Sequence, residues 1–127
     1  MTTTPRMSLL ETVIVTLAVA AACAMPVASH PSPTPGLELA VSSASGDDLT
    51  FVPAAISAPA ATLVRVTFRN DSSQAHNLTF QAPISAATQT IVEAGASDAA
   101  TFLTPGPGIY TFVCTIHMGM SGTLTVE

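Results

Sequence analysis

From residue 37 onward, the chain consists of short runs in which apolar and polar residues alternate, separated by residues that favour turns. The clearest run covers residues 62–69. Val64, Val66 and Phe68 share one face of this run, and the two arginines lie on the other face. Alternation with a period of two is the pattern of a strand with one buried face. This part of the chain therefore predicts short strands and excludes a largely helical domain.

Eight runs are predicted to be strands. They cover residues 37–41, 49–52, 62–69, 77–80, 88–93, 99–103, 109–113 and 122–126. Turn-forming residues separate the runs, most clearly in the corner Pro105-Gly106-Pro107-Gly108. Residues 54–61 and 85–87 are weaker candidates for a helical turn. Strands of this number and spacing predict an all-β, antiparallel sandwich or barrel.

The first 22 residues have the layout of a secretory signal peptide. Arg6 gives a weak positive start, and an uncharged run over residues 12–22 ends in small side chains. This run is shorter than the roughly 20 apolar residues that a membrane-spanning helix needs. A buried helix of a cytosolic domain is the alternative interpretation. We expect residues 1–22 to be a signal peptide, which implies an extracytoplasmic location, in the periplasm or at the outer cell surface.

Cys23 directly follows three alanines and resembles the cysteine of a bacterial lipobox, which is lipidated and becomes the mature N-terminus. Ala20 stands where that motif usually has leucine, and cleavage without lipidation is the alternative. Lipidation at Cys23 predicts a firm membrane anchor, since stable anchoring needs more than one acyl chain. Residues 23–36 are rich in proline and predict an extended tether, which leaves residues 37–127 as the folded domain.

The charge of the chain limits the possible partners. Its formal net charge is −5, with only three basic residues and no lysine. A nucleic-acid partner requires a basic face that neutralises phosphates. Nucleic-acid binding is therefore excluded as an expected function.

Four residues with metal-binding side chains form a candidate site: His76, Cys114, His117 and Met120. The last three share one short loop after the predicted strand 109–113, and His76 follows a turn at an earlier strand. One thiolate, two imidazoles and a thioether suit copper. Zinc more often takes four strong cysteine or histidine ligands, and a cysteine nucleophile needs a substrate pocket and an orienting group. Two alternatives remain. The four residues could have separate structural roles without a metal, or Cys114 could form a disulfide with Cys23.

The domain resembles the cupredoxins, the small blue-copper proteins that include plastocyanin, pseudoazurin and amicyanin. The resemblance covers most of residues 37–127 and is carried by residues 51–56, 64–70, 75–80 and, most specifically, 108–122. The spacing Cys-x₂-His-x₂-Met is that of the short ligand loop in amicyanin-like members. The resemblance implies a Greek-key β-sandwich.

It also implies one copper ion that alternates between Cu(I) and Cu(II), with His76, Cys114, His117 and Met120 as its ligands. In many members an asparagine follows the first histidine and ties the two ligand loops together, and Asn77 takes that position here. Met118 stands where related loops often carry proline, so it is a second candidate thioether, although the spacing favours Met120.

The function implied by this resemblance is that of a mononuclear type 1 copper protein, and not an enzyme. It would carry single electrons between extracytoplasmic redox proteins that contact it briefly near His117, and we expect it to be a monomer. An extracytoplasmic copper storage or delivery protein is the alternative within copper chemistry. A metal-free adhesion or structural sandwich is the alternative outside it.

Overall fold

The structure is a computed structural model that describes residues 33–127. These residues form eight strands and no helix. The strands are β1 (Leu37–Ser43), β2 (Phe51–Val52), β3 (Ala55–Ala58), β4 (Leu63–Arg69), β5 (Thr79–Phe80), β6 (Ser97–Leu103), β7 (Gly108–Val113) and β8 (Ser121–Val126). The predicted all-β sandwich of about eight strands is confirmed. The predicted signal peptide, Cys23 and residues 24–32 of the predicted tether lie outside the described residues.

No helix within residues 33–127 is long and apolar enough to cross a membrane.

The strands form two four-stranded sheets, with the orders β2-β1-β4-β6 and β3-β8-β7-β5. The prediction of purely antiparallel pairing was wrong for two pairs, because β1 lies parallel to β4 and β3 lies parallel to β8. Parallel neighbours need a long crossover connection. The chain between β1 and β4 contains β2 and β3 and therefore supplies such a connection.

Three local predictions were wrong. Residues 54–61 contain strand β3 instead of a helical turn, because residues 55–58 pair in register with β8. Residues 85–87 are not helical either. Residues 88–93 form no strand, and only an isolated bridge between His76 and Val92 falls in this stretch. There the Thr88 hydroxyl accepts a hydrogen bond from the backbone N–H of Leu78 at 3.0 Å, so a side chain satisfies a donor that a strand neighbour would otherwise pair.

The core lies between the two sheets. The inward face of β4 carries Val64, Val66 and Phe68, which are completely buried, while both arginines of this strand are exposed. All five phenylalanines pack in one connected cluster drawn from both sheets. Phe112 on β7 is central to it, with ring centroids 5.1 Å from Phe51 and 5.4 Å from Phe80. Aromatic pairs at these centroid distances add stability beyond the area they bury.

Two chain segments leave this core at the same end of the sandwich. The antiparallel pair β7–β8 ends at Val113 and Ser121, which are direct partners, so residues 114–120 form the loop between them. After β4 in the first sheet, residues 70–75 lead to His76. The chain then enters the second sheet at β5. The side chains of both segments meet at this end.

Candidate metal centre

Three donor atoms from the two segments converge. The Cys114 Sγ lies 3.7 Å from His76 Nδ1 and 3.8 Å from His117 Nδ1. The two Nδ1 atoms are 3.2 Å apart, and the imidazole centroids are 4.6 Å apart with an angle of 49° between the rings. His76 and Cys114 are buried, and His117 is half-buried. Among residues 33–127, these three are the one group of histidine, cysteine or carboxylate side chains close enough to hold a metal ion together.

The loop that carries two of these residues is closed by its own backbone. The N–H of Cys114 donates to the Met120 carbonyl at 3.0 Å, and the N–H of Met120 approaches the His117 carbonyl at 3.4 Å. Gly119 has a φ of +87°, which permits the sharp turn before Met120. The side chain of Met120 is 1% exposed, whereas that of Met118 is 99% exposed. Of the two candidate thioethers, only Met120 is packed into the protein.

His76 is fixed through both its backbone and its ring. Its N–H donates to the Val92 carbonyl at 3.1 Å and its carbonyl accepts from Val92 at 2.8 Å. Its Nε2 lies 2.9 Å from the Ser72 hydroxyl oxygen. That hydroxyl donates its one hydrogen to the Gln74 carbonyl at 3.2 Å, so it accepts from the ring. This arrangement favours a proton on Nε2, which would leave the lone pair of Nδ1 on the side of Cys114.

Asn77 joins residues 114–120, called the ligand loop below, to the segment that carries His76. Its Nδ2 donates to the Thr115 hydroxyl at 2.7 Å and to the Thr90 carbonyl at 2.8 Å. Its Oδ1 accepts the backbone N–H of Thr115 at 2.8 Å. The side chain is almost completely buried, at 2% exposure. These contacts hold Thr115, the residue after Cys114, at a fixed distance from His76.

The turn before His76 contributes residues that the sequence interpretation did not single out. Asn70 is fully buried, and its Nδ2 donates to the carbonyls of Gln74 and Val92 at 2.7 and 2.8 Å. Its Oδ1 accepts from Ser43 and from the backbone N–H of Ser72. The only sequence signal was a cluster of Asn, Asp and Ser shortly before a candidate metal-binding histidine. Such a cluster predicts a turn, but not which side chains contact the imidazoles.

Burial lowers the pKa of His76 below its ordinary value of 6.5, and the charge of His117 lowers it further. The imidazole is therefore neutral at neutral pH, as a metal ligand must be. Two imidazoles and a sulfur, without any carboxylate, do not suit Ca²⁺ or Mg²⁺, which prefer oxygen ligands. The same donors, together with a buried thioether on the loop, fit copper. The side chains at this end of the sandwich are therefore suited to bind copper.

These features define a copper-binding β-sandwich. The family model of the cupredoxin-like domain matches residues 13–126, and the chain therefore belongs to this family. The resemblance to cupredoxins is thus confirmed. The family and the donor set support one copper ion as the cofactor and electron transfer as its general role. A comparison with curated protein sequences found no match.

Solved structures of similar proteins agree with this assignment. Auracyanin B is 29% identical, with a TM-score of 0.67, and the match covers 76% of this chain and 92% of auracyanin B. The auracyanin of the photosynthetic bacterium Roseiflexus castenholzii, solved in its dithionite-reduced form, is 25% identical with a TM-score of 0.63, covering 71% of this chain and 96% of its own. Auracyanin A of Chloroflexus aurantiacus, described as a "blue" copper protein, shares the fold at 21% identity and a TM-score of 0.62, covering 72% and 100% of the two chains.

Proposed function

We propose that His76, Cys114, His117 and Met120 bind the copper ion and that the protein carries single electrons between redox partners outside the cytoplasm. The observation that carries this proposal is the convergence of two imidazole nitrogens and one sulfur within 3.8 Å of one another, although His76 and Cys114 are 38 residues apart. Met120 is the fourth ligand because it is buried in the same loop, whereas Met118 faces solvent. The protein is an electron carrier and not an enzyme.

Copper bound by these donors supplies a one-electron couple between Cu(I) and Cu(II). The protein's own contribution is to hold the donor atoms still. The backbone bond from Cys114 to Met120 fixes the loop, and Asn77 fixes the loop against the segment that carries His76. A sulfur and neutral imidazoles are acceptable to both oxidation states. Because the surrounding contacts restrain the ligands, little rearrangement accompanies the gain or loss of an electron.

The surface around His117 suits brief contact with other redox proteins. His117 is the half-exposed member of the cluster, and its neighbours Ile116 and Met118 are 41% and 99% exposed. A small apolar patch around an accessible ligand favours a weak, transient interface. A donor and an acceptor would approach the same patch in turn, and the protein would act as a monomer.

A copper storage or delivery protein is the second candidate function. Met118 favours it, because an exposed thioether beside the site is a ligand that Cu(I) accepts during loading or transfer. The burial of His76 and Met120, each at 1% exposure, opposes it, since ligands that release copper readily need access from outside. We therefore place delivery second.

Redox cycling of the copper-loaded protein tests the proposed function. We expect repeated reduction and reoxidation to leave copper bound in the presence of a copper-free acceptor protein, and to restore the blue colour each time. Replacement of the thiolate in Cys114→Ser should abolish the blue colour, whereas Met118→Leu should retain it. Loss of copper to the acceptor on reduction would favour delivery. A Cys114→Ser protein that stays intensely blue would contradict the site.

The location of the protein is proposed from the sequence alone. Residues 1–22 serve as a lipoprotein-type signal peptide, Cys23 carries the lipid, residues 23–36 form the tether and residues 37–127 form the copper domain. The domain would then work close to a membrane surface and on the extracytoplasmic side. Labelling with a radioactive fatty acid tests this: the wild-type protein should incorporate the label and fractionate with the membrane, and Cys23→Ala should incorporate none. A wild-type protein that incorporates no label would overturn the proposed anchor.

A further inference from the structure

The side chain of Gln74 lies against the outer edge of His117. Its Oε1 is 3.2 Å from His117 Nε2, the ring nitrogen that faces away from Cys114. The two residues are 43 positions apart in sequence, so the fold brings them together. Gln74 itself is exposed, which places this contact at the surface where the half-buried imidazole can be reached. The contact therefore restrains the most accessible member of the cluster.

The orientation of the Gln74 amide follows from its second partner. The Gln74 Nε2 lies 3.4 Å from a carboxylate oxygen of Asp47. An ionised carboxylate only accepts hydrogen bonds, so the NH₂ group must face Asp47 and the carbonyl oxygen must face His117. In this orientation Oε1 accepts a hydrogen bond from the N–H group at His117 Nε2. The proton is then on the outer nitrogen, and the lone pair of His117 Nδ1 points toward the sulfur.

The backbone of Gln74 is held firmly enough to give its side chain a defined position. Its N–H donates to the Ser72 hydroxyl at 2.9 Å. Its carbonyl accepts from the buried Asn70 side chain at 2.7 Å and from the Ser72 hydroxyl at 3.2 Å. The Ser72 hydroxyl is also the acceptor for the His76 ring. One turn, residues 70–74, therefore provides the acceptors for both imidazoles.

We propose that Gln74 is a positioning residue for His117, and that the turn 70–74 sets the ring orientation of both histidines. Ser72 does so for the buried His76, and Gln74 does so for His117. Partners that fix the outer nitrogen of a metal-binding histidine determine its tautomer and ring orientation. The effect of Gln74 on copper retention rests on the proposed function, whereas its effect on the His117 tautomer does not.

The variant Gln74→Leu removes the acceptor and keeps a side chain of similar size. In nitrogen-15 NMR of the metal-free protein, at a pH where both imidazoles are neutral, we expect the ratio of the Nε2–H to the Nδ1–H tautomer of His117 to fall about threefold to tenfold, the effect of one hydrogen bond. His76, which keeps Ser72, serves as the internal reference. In the Cu(I)-loaded protein, we expect a chelator to remove copper about tenfold faster.

Two variants complete the test. Gln74→Glu keeps an acceptor oxygen, now charged, and should not lower the ratio of the Nε2–H to the Nδ1–H tautomer. Gln81→Leu makes the same substitution at an exposed glutamine for which the described residues offer no side-chain hydrogen bond, and it should match the wild type in both measurements. If Gln74→Leu also matches Gln81→Leu in both measurements, the proposal is overturned. A protein that binds no copper would refute the proposed function, while the tautomer measurement would still decide the role of Gln74.

Discussion

The two methionines of the ligand loop differ sharply in how much of each is exposed to solvent. Met120 is 1% exposed, and Met118 is 99% exposed. The spacing of the loop favoured Met120 but left Met118 as a second candidate thioether, because a sequence does not show which side chain turns inward. Burial distinguishes them, and burial depends on the backbone path through Gly119.

This difference gives a prediction for single substitutions. Met120→Leu removes a soft donor but keeps an apolar side chain of similar volume, so the protein should still fold and bind copper. Its reduction potential should rise by on the order of 60 mV, a tenfold change in a one-electron equilibrium, because the axial ligand tunes the potential. Met118→Leu should leave the potential unchanged. Voltammetry on the two variants checks this, and equal shifts would show that Met120 has no special role.

The histidines show what residue patterns can and cannot predict. Their chemistry and their position relative to Cys114 were sufficient to name His76 and His117 as candidates, and the structure brings both close to that sulfur. The groups that orient them, Ser72 and Gln74, were not predictable. A polar turn contains several side chains that can accept a hydrogen bond, and only the fold determines which of them face the imidazoles.

At the scale of the elements, strong alternation predicted strands well and weak alternation did not. Residues 62–69 carry the clearest pattern, and β4 covers nearly all of them. Residues 55–58 carry no such pattern. They form a strand because they pair in parallel with β8, which is remote in sequence, so the local sequence did not predict it. Conversely, residues 88–93 have strand-like side chains but form only one isolated bridge, between Val92 and His76, and the Thr88 hydroxyl accepts the N–H of Leu78.

The ligand loop depends on one backbone conformation. Gly119 has a φ of +87°, and a methyl group there would meet nothing within 4 Å. The cost of Gly119→Ala is therefore conformational, and the free energy of unfolding of the metal-free protein should fall by about 1–2 kcal/mol. Gly106→Ala, at a glycine with equally open space and no positive φ, should not lower the free energy of unfolding. Chemical denaturation measures both, and equal stabilities would contradict a strained position at Gly119.

The pairing of β7 with β8 depends on a different glycine for a different reason. Gly122 is the direct partner of Phe112, and a Cβ at Gly122 would overlap the phenylalanine ring and lie 2.8 Å from the Ala54 carbonyl oxygen. Gly122→Ala should lower the free energy of unfolding by about 1–3 kcal/mol through overpacking. The exposed neighbour Ser121 provides the control, because Ser121→Ala should change stability by no more than about 0.5 kcal/mol. Thermal or chemical unfolding measures both variants. Equal stabilities would show that the sheet tolerates a Cβ at position 122.

At the scale of the whole molecule, the sandwich is what converts scattered residues into a site. His76 follows the first sheet's β4, and Cys114 follows the second sheet's β7. The residue types alone suggested copper, and the strand pattern indicated that a sandwich would bring both segments to one end. The distances of 3.2 to 3.8 Å among the three donor atoms could not be predicted from the sequence, because they depend on how the two sheets pack.

The central claim is that one copper ion is bound at this end of the sandwich by two imidazoles, a thiolate and a thioether. Addition of Cu(II) to the purified metal-free protein, followed by visible absorption and electron paramagnetic resonance on the same sample, tests it most directly. We expect saturation at one copper per chain, an intense blue absorption from the copper–thiolate bond, and the narrow copper hyperfine splitting of a type 1 centre. A colourless complex with an ordinary Cu(II) resonance, or no binding, would contradict the claim.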